Sequence, residues 1–226
     1  MLDTTGGFGG GNIAVLAGKD GIVLVDSMLA ATAPKVQAVL TALSDQPVRY
    51  LIHTHFHGDH SGGAAVLGKG ATLISHANLR GRFLDPKRPP VPAAALPAVT
   101  LTQGMSLHAN GEEILITHYP SGHTDNDLVV YFKQAKVAHL GDMFFFGMFP
   151  AVYTAGGGDI RQLILNLEQI AASLPVDAKV IPGHGPIASM DEFRGYIAML
   201  NETTAIVDEA LRRGQTLQQS KEAKIL

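Results

Sequence analysis

Four histidines and one aspartate fall within eight residues early in the chain, a density that suggests metal chemistry. In an extended segment, side chains two positions apart point the same way, so His55 and His57 should face one side. Asp59 and His60 follow after Gly58, which we expect to permit a bend. One short loop therefore offers three imidazoles and a carboxylate, and zinc prefers nitrogen and oxygen ligands of this kind.

Three further candidate ligands stand apart in the sequence, and each has a glycine next to it. They are His123, Asp142 and His184, and the last two follow predicted strands. A single histidine is more often an ordinary core or surface residue, but that explanation is weak for a set placed at strand ends. Loops at the ends of strands carry binding and catalytic residues, so we expect the three to join the cluster. Two metal ions about 3.5–4 Å apart can share one carboxylate bridge.

The elements that must position these residues follow from the hydrophobic pattern. Nine apolar runs predict strands, at residues 12–18, 21–26, 48–53, 71–75, 99–108, 113–119, 127–132, 136–140 and 180–181. Helices are predicted to begin near Pro34, Ser61, Asp159 and Ser189, the last with capping-box spacing and an end near Arg213. Alternating strands and helices indicate an α/β domain with helices packed on sheets, and strands from residue 99 onward suggest a β-meander.

Three segments are predicted to be irregular. Residues 5–12 are glycine-rich and indicate a loop, and the tail from Gly214 is polar and should fray. Residues 85–97 contain five prolines, which predicts an extended surface loop. No linker divides the chain, so we expect a single domain over residues 1–226.

Composition excludes several classes of function. The chain has 226 residues, a net charge of −3 and no cysteine, so disulfides and thiolate ligands are ruled out. No basic cluster indicates nucleic-acid binding, and no apolar run has the length of a membrane span. The start, MLDTTGGFGGGN, does not have the pattern of a signal peptide. The compartment, periplasmic or cytoplasmic, and the oligomeric state stay open.

Together these residues resemble the metallo-β-lactamase superfamily over nearly the whole chain. The shared pattern is Asp26, the stretch THFHGDH at 54–60, His123, Asp142 and His184. The resemblance implies a four-layer αβ/βα sandwich of mixed α/β (α+β) class, with the site at one edge between two sheets.

The resemblance also implies two zinc ions per chain, with iron or manganese as alternatives. The implied ligands of the first metal are His55, His57 and His123. Those of the second are Asp59, His60 and His184. Asp142 would bridge the two metals, and Asp26 would orient the histidine loop without binding metal. Asp59 would also be catalytic, because it can orient the nucleophile or carry its proton.

The implied activity is hydrolysis, in which a metal-bridging hydroxide attacks the carbonyl of an ester, lactone, thioester or lactam. β-Lactamases with a cysteine ligand are excluded because Asp142 stands at that position, and Phe145 replaces their drug-binding lysine. Glutathione thioesterases carry an added C-terminal helical region that is not evident here. The pattern is closest to small single-domain members, for which β-lactamase activity is a plausible side reaction.

Three alternatives remain open. Iron persulfide dioxygenases have a similar fold and use one iron with two histidines and an aspartate. A non-catalytic binding protein could keep the fold, although it would not need all seven ligands. A nuclease is disfavoured by the negative charge. We expect a small-molecule substrate and no nucleic-acid or membrane partner.

The walls of the site are less well specified. Phe56 and the run 143–150 supply apolar groups, most of them expected in the core, and the loop 85–97 could cover the site. His118 or Tyr119 could donate to an oxyanion, with packing as the alternative. We interpret four histidines as non-ligands, with His76 a candidate for a supporting position: His53, His76, His108 and His139. Ser121 and Ser189 are expected to be structural.

Overall fold

The first β-sheet collects most of the amino-terminal strands. The computed structural model describes residues 10–226. The sheet has five strands, β1 (Ala14–Gly18), β2 (Gly21–Val25), β3 (Val48–Ile52), β4 (Thr72–His76) and β5 (Val99–Leu101). They lie in chain order, with β1 antiparallel to β2 and the other neighbours parallel.

The second sheet has six strands, and most of it is a meander. Its strands are β6 (Gly104–Ala109), β7 (Glu112–Tyr119), β8 (Asp127–Phe132), β9 (Val137–His139), β10 (Lys179–Ile181) and β11 (Ala188–Ser189). Strands β6 to β9 pair antiparallel in sequence, β10 adds parallel to β9, and β11 pairs antiparallel with β10. The predicted meander is confirmed for these four strands.

Seven helices are described within residues 10–226. They are α1 (Ala33–Leu43), α2 (Gly58–Ser61), α3 (Ala64–Leu67), α4 (Ala77–Phe83), α5 (Ile160–Ser173), α6 (Met190–Arg212) and α7 (Leu217–Ala223). Short 3-10 turns occur at Ala93–Ala95, Gly141–Met143 and Thr154–Gly156. No helix within residues 10–226 is both long enough and apolar enough to cross a membrane.

Three apolar clusters separate four layers. The central cluster joins inward side chains of the two sheets, such as Ile52 and Ile116. A second cluster packs α1 and α3 on the first sheet, and a third packs α5 and α6 on the second sheet through Leu167 and Phe193. Burying each of these large side chains contributes roughly 1.5–3 kcal/mol, which holds the layers in register. This is the predicted αβ/βα sandwich.

The two long helices begin where their caps were predicted. The Asp159 carboxylate accepts hydrogen bonds from the N–H groups of Arg161 and Gln162 at 2.8 and 2.9 Å. Ser189 and Glu192 form a capping box at the start of α6. These side chains satisfy backbone donors that have no partner inside the helix.

Three predictions of local structure are wrong, and one helix was missed. The run 99–108 is not one strand, because the chain turns at 102–103 and crosses from the first sheet to the second. Two short helices, α2 and α3, replace the helix predicted from Ser61. Helix α4 was not predicted. The tail from Gly214 forms α7, which a capping box of Thr216 and Gln219 begins.

The remaining irregular segments agree with the sequence where they are described. Residues 85–97 have no regular structure apart from a turn at 85–88 and one 3-10 turn. Residues 10–12 of the predicted glycine loop have no regular structure, and the rest of that loop lies outside the described residues. The single domain over residues 1–226 stays a prediction.

Candidate metal centre

The candidate ligands come from four loops at one edge of the two sheets. The histidine loop follows β3, and the other three loops follow β7, β9 and β10. Strands β7 and β9 both run antiparallel to β8, and β10 runs parallel to β9. The carboxyl ends of β7, β9 and β10 therefore meet at the same edge, where His123, Asp142 and His184 follow them.

The histidine loop changes from extended chain to helix within a few residues. His57 has extended backbone, with ψ of 146°, and immediately precedes α2, which holds Asp59 and His60. The bend does not depend on Gly58 in the way we expected. Gly58 is not among the glycines with positive φ, and a Cβ atom there would contact nothing within 4 Å.

Asp26 lies beneath this loop and is fully buried. Its backbone is left-handed, with φ of 63°, a conformation that aspartate tolerates better than most residues. Its carboxylate accepts two hydrogen bonds from Thr54, from the N–H and from the hydroxyl, both at 2.7 Å. Its Oδ2 also lies 2.8 Å from Nδ1 of His60. Asp26 thus holds both ends of the loop.

Hydrogen bonds at Nδ1 leave Nε2 of three histidines facing the centre. His60 Nδ1 donates to Asp26, and His55 Nδ1 lies 3.1 Å from the Thr54 hydroxyl, whose own proton goes to Asp26. His123 Nδ1 donates to the carbonyl of Ala151. A partner at one ring nitrogen fixes the tautomer of the neutral ring, so the other nitrogen is the one that can offer a lone pair to a metal.

The first donor group contains His55, His57, His123 and Asp142. His57 Nδ1 lies 3.1 Å from His55 Nε2 and 2.8 Å from His123 Nε2. Asp142 Oδ2 is 3.7 Å from His55 Nε2 and 3.5 Å from His123 Nε2. Four donor atoms therefore surround one point.

The second group contains Asp59, His60, His184 and Asp142. Asp142 Oδ1 lies 2.9 Å from His60 Nε2 and 3.3 Å from His184 Nε2. Asp59 Oδ2 lies 3.2 Å from His184 Nε2 and 3.6 Å from His60 Nε2. Asp142 belongs to both groups, with one carboxylate oxygen toward each.

The spacing of the donor atoms is explained better by metal coordination than by hydrogen bonds among the donors. Asp142 Oδ1 is buried and has no hydrogen-bond partner, although two imidazole nitrogens lie close to it. Tetrahedral zinc with Zn–N of 2.0–2.1 Å places its ligand nitrogens roughly 3.3 Å apart, which is close to the spacing seen here. Imidazole and carboxylate donors suit zinc, iron and manganese.

Protonation in the metal-free protein follows burial and charge. Burial lowers the pKa of His57 to about 4 and holds the pKa of His55 well below its usual range. Burial also opposes protonation of His60 and His184. The carboxylates beside them nevertheless raise the pKa of His60 well above its ordinary value and that of His184 to about 9.

Residues 6–186 match the family model described as the metallo-beta-lactamase superfamily. The chain belongs to the metallo-β-lactamase superfamily.

Relatives within the superfamily are distant. An uncharacterized protein of Aquifex aeolicus (strain VF5) is 25% identical over 171 residues, covering 72% of this chain and 80% of the relative. The hydroxyacylglutathione hydrolase of Anaeromyxobacter dehalogenans (strain 2CP-C) is 28% identical, covering 67% of this chain and 53% of the hydrolase. That of Cereibacter sphaeroides is 27% identical, covering 67% and 54%. The chain thus spans about half the length of these two hydrolases.

Solved structures share the fold. The metallo-beta-lactamase from Pontibacter korlensis superposes with a TM-score of 0.70 at 23% identity, covering 83% of this chain and 85% of that one. The DIM-1 metallo-beta-lactamase gives 0.69 at 19% identity, covering 84% and 86%. At these identities the likeness concerns the four-layer sandwich alone.

In this member of the superfamily, a buried aspartate braces the loop that carries His123. The Asp127 carboxylate accepts hydrogen bonds from the Thr124 N–H, at 2.9 Å, and from the Thr124 hydroxyl. Burial raises the pKa of Asp127 to about 7. The turn formed by these bonds directs His123 toward the centre.

An open cleft of about 250 Å³ lies over the donor groups. Besides the candidate ligands, its lining residues are Phe145, Ala151, Val152 and Tyr153. Tyr153 was not predicted, and the Phe145 ring stacks on His184 with centroids 5.3 Å apart. The one signal for Tyr153 was an aromatic residue within a short segment of small residues before the Asp159 cap.

Other members of the predicted aromatic wall lie elsewhere. Phe144 is fully buried in the cluster beneath α6, and Phe56 is only 7% exposed. Met148 and Phe149 are exposed at the tip of the loop. The expectation that most of the run 143–150 belongs to the core is therefore met only by its first part.

The histidines interpreted as non-ligands stand outside both donor groups. His53 and His139 are fully buried behind the loops, and His139 lies 3.1 Å from the Asn12 carbonyl. His76 stacks on His118 with ring centroids 3.8 Å apart, and His118 lies 3.2 Å from the Asp125 carbonyl. Within the described residues His118 and Tyr119 do not line the cleft, so packing accounts for both.

Proposed function

We propose that this chain is a zinc-dependent hydrolase with two metal ions, acting on the carbonyl of an ester, lactone, thioester or lactam. The observation that carries the proposal is the pair of donor groups that share Asp142. A structural metal site encloses its ion on all sides, whereas a catalytic site keeps a position open. Here both groups open onto the cleft.

Each metal would have three ligands of its own and a share of Asp142. His55, His57 and His123 would hold the first, and Asp59, His60 and His184 the second. When bound, zinc supplies Lewis acidity and lowers the pKa of water at the site toward roughly 7. Asp26 would keep His60 and the His55 loop in the ligating orientation through the bonds described above.

Asp59 is the residue best placed to handle the proton of the attacking water. Its carboxylate lines the cleft and is less buried than that of Asp142. Burial raises the pKa of Asp59, but the contact with His184 and the charge of His60 hold it below its usual value. An ionised carboxylate at this position can orient the water and accept its proton. No serine or cysteine nucleophile is required.

The names of two relatives support a carbonyl substrate. Two relatives are named hydroxyacylglutathione hydrolase, which places acyl glutathione thioesters among the substrates to be tested. The cleft is small and partly lined by apolar side chains, as suits small acyl groups.

Metal analysis and a substrate panel test the proposal. We expect about two zinc ions per chain, and hydrolysis of at least one among β-lactams, lactones, esters and thioesters. His57→Ala should reduce that activity by about 10³-fold or more, because the reaction depends on the metal. His108→Ala is the matched control, since His108 is exposed on β6 and distant from the donor groups.

Two results would contradict this function. One iron per chain with sulfur-dependent oxygen uptake would indicate a persulfide dioxygenase instead. Turnover by His57→Ala equal to that of the unmodified protein would refute the site assignment.

A further inference from the structure

The proline-rich loop places an arginine beside the metal-ligand loop. The guanidinium carbon of Arg88 lies 4.9 Å from the centre of the Phe56 ring. Phe56 stands between His55 and His57 in sequence, and its ring centre is 4.5 Å from that of His57. Arg88 is therefore separated from a candidate metal ligand by one aromatic ring.

Two arginines contact the Phe56 ring, and one of them forms an ion pair with a carboxylate. Arg82 lies 4.8 Å from the ring centre, and its guanidinium makes an ion pair with Asp125 at 2.7 Å and donates to the Gly156 carbonyl at 3.0 Å. Arg88 is half-buried, and no carboxylate within residues 10–226 pairs with it. A half-buried guanidinium without an anion is available to bind one.

The backbone holds Arg88 in this position. Its N–H donates to the Asp85 carbonyl at 3.0 Å, closing a turn. Pro89 follows directly, which restricts the backbone of Arg88 to extended conformations, and Pro90 stiffens the next step. The side chain is thus presented from a stiff segment, which reduces the entropy lost when a ligand is bound.

Phe56, the residue whose ring Arg88 contacts, lies next to a residue that lines the cleft. The Tyr153 ring lines the cleft and lies 5.1 Å from His57 and 6.0 Å from Phe56, centre to centre. No lysine or arginine is among the described residues that line the cleft itself. Beside Phe56, Arg88 is the arginine that has no carboxylate partner, so a substrate lying over the metals and extending past Tyr153 would approach an unpaired guanidinium.

We infer that Arg88 binds a carboxylate of the substrate, so that this hydrolase prefers acyl compounds with one negative charge. The inference rests on the proposed function. A guanidinium fork matches a carboxylate with two parallel hydrogen bonds. A phosphate monoester carries nearly two charges at neutral pH, and the described residues place one arginine without a carboxylate partner beside Phe56.

A pair of thiols that differ only at one end measures this preference. Mercaptohexanoate and mercaptohexanamide both bind zinc through sulfur, and their tails extend along the cleft. Calorimetric titration of the zinc-loaded protein should show the carboxylate binding about tenfold tighter than the amide, as expected for a charge-assisted hydrogen bond. Arg88→Gln should remove the difference, and Arg88→Lys should keep part of it.

A third arginine, Arg49, provides the control. Arg49 also lies over an aromatic ring, 5.4 Å from the centre of Tyr50, but on β3 and exposed. Arg49→Gln should leave both affinities unchanged. In turnover, Arg88→Gln should raise KM for a carboxylate-bearing ester without changing kcat, and should not affect the matched methyl ester.

The outcomes separate this inference from the proposed function. Equal affinities for the two thiols in the unmodified protein, or a preference that survives Arg88→Gln, would overturn the inference while hydrolysis of the neutral ester continued. Absence of both thiol binding and hydrolysis in zinc-loaded protein would refute the proposed function, and the inference with it.

Discussion

Asp26 and Asp142 are both buried carboxylates beside His60, yet their surroundings differ. Asp26 has its oxygens satisfied by Thr54 and by Nδ1 of His60. Asp142 has a buried oxygen with no hydrogen-bond partner and several ring nitrogens turned toward it. A buried polar atom is normally satisfied, so the unsatisfied oxygen supports our proposal that Asp142 binds metal, whereas the satisfied oxygens of Asp26 fit a supporting role.

Replacing Asp26 tests the supporting role. Asp26→Asn keeps the size but removes the charge and one acceptor, so His60 and Thr54 lose their shared partner. Loss of such a partner typically lowers metal affinity by 10- to 100-fold, and we expect that decrease here. Competition with a chromogenic chelator measures it.

The matched control is Asp20→Asn. The Asp20 carboxylate also accepts a backbone hydrogen bond, from Asn110 at 2.8 Å, but it lies in the turn between β1 and β2. Its zinc affinity should equal that of the unmodified protein. An equal affinity for Asp26→Asn as well would show that Asp26 has no part in orienting ligands.

The loops that follow β9 and β10 contact each other closely, and this contact fixes the positions of the ligands they carry. After β10, Gly183 crosses directly over the Asp142 loop, and its N–H donates to the Gly141 carbonyl at 2.7 Å. A Cβ atom at Gly183 would lie 2.0 Å from Asp142 Oδ1. Glycine is therefore required at residue 183 by space.

A methyl group at this position should displace Asp142. Gly183→Ala is expected to lower zinc affinity by at least tenfold and to reduce the free energy of unfolding of the metal-free protein by about 1–3 kcal/mol. Gly195→Ala is the control, since that glycine is exposed on α6 and a Cβ there meets nothing within 4 Å. It should leave zinc affinity unchanged and add about 0.5–1 kcal/mol of stability.

Gly183→Ala could instead bind zinc with the affinity of the unmodified protein. Zinc binding would then not depend on the position of the Asp142 carboxylate. The assignment of Asp142 as the shared ligand would then be wrong. Urea unfolding monitored for both variants separates loss of fold from loss of the ligand position.

Elements with strong local signals could be predicted from the sequence. The helices α5 and α6 combine amphipathic spacing with the caps Asp159 and Ser189, and both begin there. Helix α7 has no buried residue, so hydrophobic periodicity could not indicate it. Helix α4 contains Gly81 and buries only Leu79. The break at 102–103 contains no proline and spans only Thr102 and Gln103, so the apolar residues on either side were assigned to one strand.

The candidate site was predictable as a set of residues but not as a cleft. The ligand types and their positions after strands indicated which side chains meet. Tyr153 lines the cleft and Arg88 contacts Phe56 beside it, and both residues come from loops that have no metal-binding signal. The roles of the seven ligands stay predictions until metal is measured.

Across the whole molecule, the donor groups join the two halves of the sandwich. The histidine loop belongs to the first sheet, whereas His123, Asp142 and His184 follow strands of the second. The central apolar cluster already joins the two sheets, but it lies between them and not at the edge. Ions bound at this edge would therefore add a second link between the two sheets.

Zinc should therefore raise the thermal stability of the protein. A ligand that binds only the folded state at 100 times its Kd adds about 2.7 kcal/mol, which for a chain of this size raises Tm by roughly 5–10 °C. Differential scanning calorimetry of chelator-treated protein, with and without added zinc at one pH, measures the change.

His108→Ala should respond as the unmodified protein does, and Asp142→Ala, which lacks the carboxylate common to both groups, should respond little. A Tm that zinc leaves unchanged, or an equal rise in Asp142→Ala, would mean that metal does not join the two sheets through this centre.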